Sequence, residues 1–225
     1  MTDLNSESNK VELSNEQIQH LFAFTEKKFV RWYDLQVELV DHLASSVEEE
    51  MVADRSLHFE AALERVYNRF GIFGFAKVVQ EKQAQLHRAA RSIWWQEIKI
   101  FLGWPKIILL SLILALLWQL TSIVNTTSLA YGFAAVYIVV SLSLLVYAFR
   151  YKKARRKLLL LRYGPMHVSA LTFGYEVLIF SGLEKLSRVG FCLFAGTGIL
   201  ILVASFRLYE RIKNEALKLY PEAFV

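Results

Sequence analysis

A single cysteine, Cys192, leaves nothing to cross-link, so a disulfide-stapled fold is excluded. Proline occurs only at 105, 165 and 221, and its absence from the first 100 residues lets long helices run there unbroken. Charge is missing altogether between Lys106 and Arg150, a stretch far longer than a soluble core helix. Catalytic signatures are missing too. The chain has no Gly-x-Ser-x-Gly elbow, phosphate-binding loop, dinucleotide fingerprint or His-Glu-x-x-His pair. Gly196-Thr197-Gly198 lies inside an apolar run, and Cys192 and Gly196 form a small-xxx-small pair there, a pattern that suits close helix packing. These absences disfavour an enzyme and imply no cofactor.

What is present divides into two unlike halves. Residues 1–100 carry 12 Lys/Arg and 16 Asp/Glu, a net of −4, whereas residues 101–225 carry 14 and 5, a net of +9. The overall +5 therefore comes from charges beside apolar runs. That is the pattern of membrane topology, and it argues against a nucleic-acid partner. Apolar runs at 107–124, 129–149, 166–183 and 189–206 predict four spans, each about 27–32 Å long as a helix. The polar cluster Asn125-Thr126-Thr127-Ser128 predicts the turn between the first two.

The stretch 150–157, which includes Lys152, Lys153, Arg155, Arg156 and Lys157, predicts a cytoplasmic loop, and its charge also favours anionic lipid. No leader-like apolar segment opens the chain, so the first run is expected to act as an uncleaved insertion signal, with both termini in the cytoplasm. The predicted fold class is all-α. A cytoplasmic helical domain over 1–100 precedes a four-helix transmembrane bundle over 101–225, which ends in a short cytoplasmic tail.

Helical spacing organises the first half. Ser14 and Gln17 predict a capping box opening a first helix that runs to about residue 28. A second helix, over 31–53, places Trp32, Leu39, Val40, Leu43, Val47 and Met51 on one stripe. Asp34, Glu38, Asp41, His42, Ser45, Glu48 and Glu49 fall opposite. A third helix over 56–70 stops at Gly71. The turn Phe70-Gly71-Ile72-Phe73-Gly74-Phe75 is expected to bend at its glycines and seal a small core with its aromatics, before a long helix over 76–100.

Two constellations invite chemistry. On the second helix, three carboxylates and His42 point the same way, as metal ligands would. No other histidine supplies a matching acidic partner, so no metal is predicted, and Asp34, Glu38, Asp41, His42, Glu48 and Glu49 are read as a solvated protein-interaction face. Within the third apolar run, Glu176 is an ionisable group at bilayer depth, where it costs about 2.5–3.5 kcal/mol, and His167 lies toward the cytoplasmic end of the same run. A protonated Glu176 bonded to a neighbouring helix is the plainer reading, and a proton or cation ligand in a small transporter or channel component is the alternative.

The stretch from Tyr33 to Ala44, with Val47-Glu48-Glu49 and the Phe70–Phe75 turn, resembles a family of uncharacterised multi-span membrane proteins of Bacteroidota, especially flavobacteria. The order of helices, glycine turn and spans also resembles HAAS signalling modules, although their Gly-Asp-Pro turn is replaced here by Gly71-Ile72-Phe73. The first resemblance implies a bacterial inner membrane, and neither implies a catalytic residue. The function expected is therefore that of a non-enzymatic inner-membrane protein whose cytoplasmic domain is a protein-interaction or signalling module. Its expected partners are membrane lipids and a cytoplasmic or membrane protein, with self-association left open.

Overall fold

The computed structural model describes residues 11–151, 154–163 and 186–224, together with Thr172, Gly174, Tyr175, Val177 and Gly182. Among these residues all regular structure is helical. By its contacts the chain forms two compact units, residues 1–84 with 155–159 and residues 85–154 with 160–225. The compositional break near residue 100 marks where the chain turns apolar. The contacts divide it earlier, within one continuous helix, and return a five-residue segment from beyond the break to the first unit.

In the first unit, α1 (Asn15–Lys27) opens on the predicted capping box. Gln17 N–H donates to Ser14 Oγ at 3.3 Å and Ser14 N–H to Gln17 Oε1 at 2.8 Å, which satisfies two amides that a helix start leaves orphaned. α2 (Tyr33–Ala53) and α3 (Phe59–Asn68) follow. Their predicted apolar stripes supply Leu39, Val40, Leu43, Val47, Leu63 and Val66 to a core completed by Leu21, Val30, Leu35 and Ala62. Trp32 and Met51 sit only half-buried at the stripe's ends.

The aromatic turn divides its residues in a way that corrects the expectation. Gly71 and Gly74 take φ of +70° and +49°, and a Cβ on Gly74 would collide with the Tyr67 hydroxyl. Phe75 is buried against Phe24, Tyr67 and Phe70. Ile72 and Phe73, however, are 100% and 76% exposed. A tight turn has room for one inward ring, and the residues between the two glycines are lifted away from the core. The α1–α2 connection is also unusual. Phe29 takes φ +68°, where glycine or asparagine is usual at a helix C-terminus, and it is 80% exposed.

One carboxylate ties α2 to α3. Glu50 accepts hydrogen bonds from Arg65 (3.2 Å) and from Arg69. The Arg65 bond first and the Arg69 bond second hold its carboxyl below the usual glutamate range. A depressed pKa means that this contribution to stability is present above the unfolded-state value and is lost as pH falls through the folded-state value. The thermal midpoint of the helical unit is therefore expected to drop as the pH is lowered below about 4. Glu50→Gln should flatten part of that slope, which a pH series of melting curves on both proteins would measure. Identical slopes would remove Glu50 from this role.

In the second unit, α4 (Ala76–Phe101) continues from the first and is followed by α5 (Lys106–Leu120), α6 (Thr126–Tyr151), α7 (Leu159–Tyr163) and α8 (Arg188–Leu219). Among the described residues, two helices are long and apolar enough to cross a membrane, α6 over Thr126–Ala148 and α8. The pair α4 and α5 makes a third only as a broken element bent by 74°. The second and fourth predicted runs thus appear as helices of spanning length.

The first run, expected at 107–124, is a shorter 15-residue helix. The Thr121 and Ser122 hydroxyls fold back onto the carbonyls of Trp118 and Gln119 and end it. Asn125 then restarts the chain by capping α6, its Oδ1 accepting the Thr127 N–H at 2.9 Å. The third run, expected at 166–183, lies outside the described residues apart from five scattered positions. α8 packs on both α5 and α6. Its seam with α6 is built on Ala130, Ala134 and Ala195, with Tyr137, Tyr175 and Phe191 around them. Small residues at such a seam let two backbones approach closely, which is how helices gain contact where no water is expelled.

Candidate functional site

The residues of the predicted acidic face separate into three groups. Asp34 is buried at 7% exposure, a correction to the reading that set it on a solvated face. Its Oδ1 accepts the backbone N–H of Leu159 at 2.9 Å and that of Leu35 at 3.1 Å. Glu38 and Glu48 are half-buried and engaged, Glu38 with the Lys82 ammonium and Glu48 with the Leu13 N–H at 3.0 Å. Asp41, His42 and Glu49 remain exposed. Because Asp34 turns inward and Glu38 pairs with Lys82, the four possible ligands on α2 do not converge. Among the described residues no group of three or more His, Cys, Asp or Glu side chains could hold a metal ion.

What Asp34 holds is the end of the basic stretch. Tyr33 N–H donates to the Lys157 carbonyl at 2.8 Å. Together with the Asp34–Leu159 bond, this straps residues 155–159 across the start of α2. Leu158 and Leu159 are buried at 3% and 0% exposure. The first amide of α7 would otherwise be an orphan in that interior, and a carboxylate accepting a buried N–H is among the stronger hydrogen bonds available to it. Above the strap the Arg156 guanidinium lies 4.4 Å from the Tyr33 ring centroid, and Tyr33 stacks near Phe22 with ring centroids 6.4 Å apart. A cation over an aromatic face adds attraction of order 0.5–1 kcal/mol at a wet site.

A cleft of about 700 Å³ opens beside the strap. Phe22 and Tyr33 contribute its aromatic surface, Gln19 and Gln36 its amides, and Arg31, Arg156 and Lys157 three cations against the one carboxylate of Glu26. Gln36 is fixed in place by donating to the Val30 carbonyl at 2.7 Å. Arg31, Arg156 and Lys157 form no ion pair with another described residue. Three cations against one carboxylate make the cleft chemically suited to anionic groups.

In the second unit, a different polar contact joins α6 to α8. Tyr147 OH donates to the Glu210 carboxylate, and Lys213 lies 3.9 Å from the same carboxylate. Glu97 near the end of α4 pairs with Arg211 at 3.8 Å. Sequence reasoning assigned Glu210 no role. Its position one turn beyond the apolar part of α8 was the available signal.

Of the remaining predicted residues, Arg155, Arg156 and Lys157 are exposed on or beside the strap. Lys152, Lys153, His167 and Glu176 lie outside the described residues. Comparison of the chain with protein-family models, curated proteins and solved structures found no match.

Proposed function

We propose that the chain is a non-enzymatic integral membrane protein whose N-terminal helical unit is a regulatory interaction module. The observation that carries this reading is the Asp34–Leu159 bond. The helical unit grips the short segment that follows α6, a helix of membrane-crossing length, and precedes α7. A ligand that distinguishes the docked from the released segment must shift the balance between them, by as much as its affinities for the two states differ. The helical unit then reports its binding state to the chain between two membrane segments.

The partner surface is the exposed remainder of the acidic face, Asp41, His42 and Glu49, which lie within three turns of one helix. The bacterial inner membrane, with both termini in the cytoplasm, is the setting that fits the basic stretch and the resemblance above.

A photocrosslinking residue in place of His42, in the full chain in its native membrane, tests this reading. A discrete protein adduct is expected. Asp41→Arg with Glu49→Arg should abolish it without changing the melting midpoint, and Asp34→Ala should change its yield. An absent adduct, or one indifferent to both changes, contradicts the proposal.

A further inference from the structure

Three large apolar side chains stand in solvent at one end of the helical unit. Ile72 is 100%, Phe29 80% and Phe73 76% exposed, each at the tip of a turn. The two turns are held side by side. Phe24, just before Phe29 in chain order, packs on Tyr67 and Phe75 with centroids 5.2 and 6.4 Å away, and the Lys28 ammonium lies 4.2 Å from the Tyr67 ring centroid. The geometry points to this tip being a bilayer-docking surface, with Phe29, Ile72 and Phe73 entering the interface of an anionic membrane.

Three observations select the bilayer as the occupant. The first is charge. Lys27, Lys28 and Arg31 flank Phe29, and Arg156 and Lys157 lie against Tyr33, four residues further along the chain, with Glu26 and the buried Asp34 as carboxylates beside them. This basic end belongs to a half-chain that is acidic overall, and basic residues beside exposed aromatics are what an anionic headgroup layer attracts.

The second is connectivity. The strap fixed at Tyr33 and Asp34 is the same end of the unit, since Val30 is bonded to Gln36 and Phe29 precedes α2 by only four residues. From Ala148, where the apolar span of α6 ends, to Arg156 is eight residues, a reach of at most about 28 Å. The third is shape. Glycines with positive φ raise Ile72 and Phe73 as a short knob, and Phe29 is presented from a backbone position that glycine would occupy more easily. Small protruding knobs enter a soft headgroup layer readily, whereas a protein partner would need a matching pocket.

The inference rests on the membrane reading of α6 but not on a protein partner. Its test uses the full chain with Cys192→Ser, reconstituted in vesicles, carrying one spin label at Ile72→Cys, at Val139→Cys on the exposed face of α6, or at Glu49→Cys. Collision with oxygen and with a water-soluble nickel chelate gives each label's depth.

In phosphatidylglycerol vesicles the Ile72 label is expected about 5–10 Å into the headgroup–acyl boundary, and shallower in pure phosphatidylcholine, while the Glu49 label stays aqueous. An aqueous Ile72 label with a deep Val139 label would overturn the docking surface alone. An aqueous Val139 label would overturn the membrane reading beneath it. Label–label broadening at Ile72, or protection seen only in native membranes and not in lipid vesicles, would assign the tip to a second copy or to another protein and likewise overturn the proposal.

Discussion

Replacing Asp34 by alanine is expected to raise the released population of the 155–159 strap about 30-fold. The substitution removes the acceptor of a buried amide, because Leu159 is fully buried and its N–H donates to Asp34 Oδ1 at 2.9 Å. An amide left unsatisfied in such a place costs about 1–3 kcal/mol, and 2 kcal/mol corresponds to roughly 30-fold. The consequence falls on the strap more than on the core of α1 to α3, whose apolar contacts do not involve this carboxylate.

Trypsin reads the effect directly, since Arg155, Arg156 and Lys157 become cleavable when the strap leaves α2, and cleavage tracks the open population when opening is fast. Asp34→Asn keeps an oxygen acceptor but not the charge, so its cleavage rate should fall between the two. Equal rates for all three proteins would show that the carboxylate does not hold the strap.

Ala195→Leu is expected to lower the melting midpoint of the second unit by roughly 2–12 °C. Ala195 has no exposed surface and faces Ala130 and Ala134 across the α6–α8 seam. Forcing larger side chains into a packed seam costs about 1–3 kcal/mol, and in a unit of this size each kcal/mol moves the midpoint by about 2–4 °C. The neighbouring Gly198 shows how close the approach is, since a Cβ there would lie 3.1 Å from the Phe133 ring of α6.

Cys192 packs beside the same cluster and is the chain's only thiol, so its reaction with a thiol-sensitive dye during heating reports opening of this seam. Leu193→Ala, at a side chain 65% exposed, is the control and should shift the midpoint little. Equal shifts for the two variants would mean that the seam is not where α6 and α8 are held.

Local sequence logic carried far where the determinants are local. The Ser14 capping box, the apolar stripes of α2 and α3 and the apolar helices α6 and α8 each depend on residues within a few turns, and spacing alone placed them, although α3 ends at Asn68, short of the expected stop at Gly71. The lost ground lies where distant residues decide. Asp34 has the spacing of a surface acid, and only a segment 125 residues away turns it into a buried acceptor.

Likewise an apolar turn reads as core until packing shows room for Phe75 and none for Ile72 and Phe73. The early end of α5 follows from two hydroxyls turning back on their own helix, an alternative that hydropathy does not weigh. The acidic face was legible as a face, and its division into engaged and open members was not, because Lys82 and Leu13 reach it from other elements.

The central claim is that the helical unit holds the segment following α6 through Asp34. Amide hydrogen exchange at Leu159, measured in the full chain in lipid nanodiscs, tests it most directly. The structure predicts a protected Leu159 amide whose protection disappears in Asp34→Ala while that of Leu39 and Val47 in α2 is kept. A Leu159 amide that exchanges as fast as free chain in the unmodified protein would contradict it.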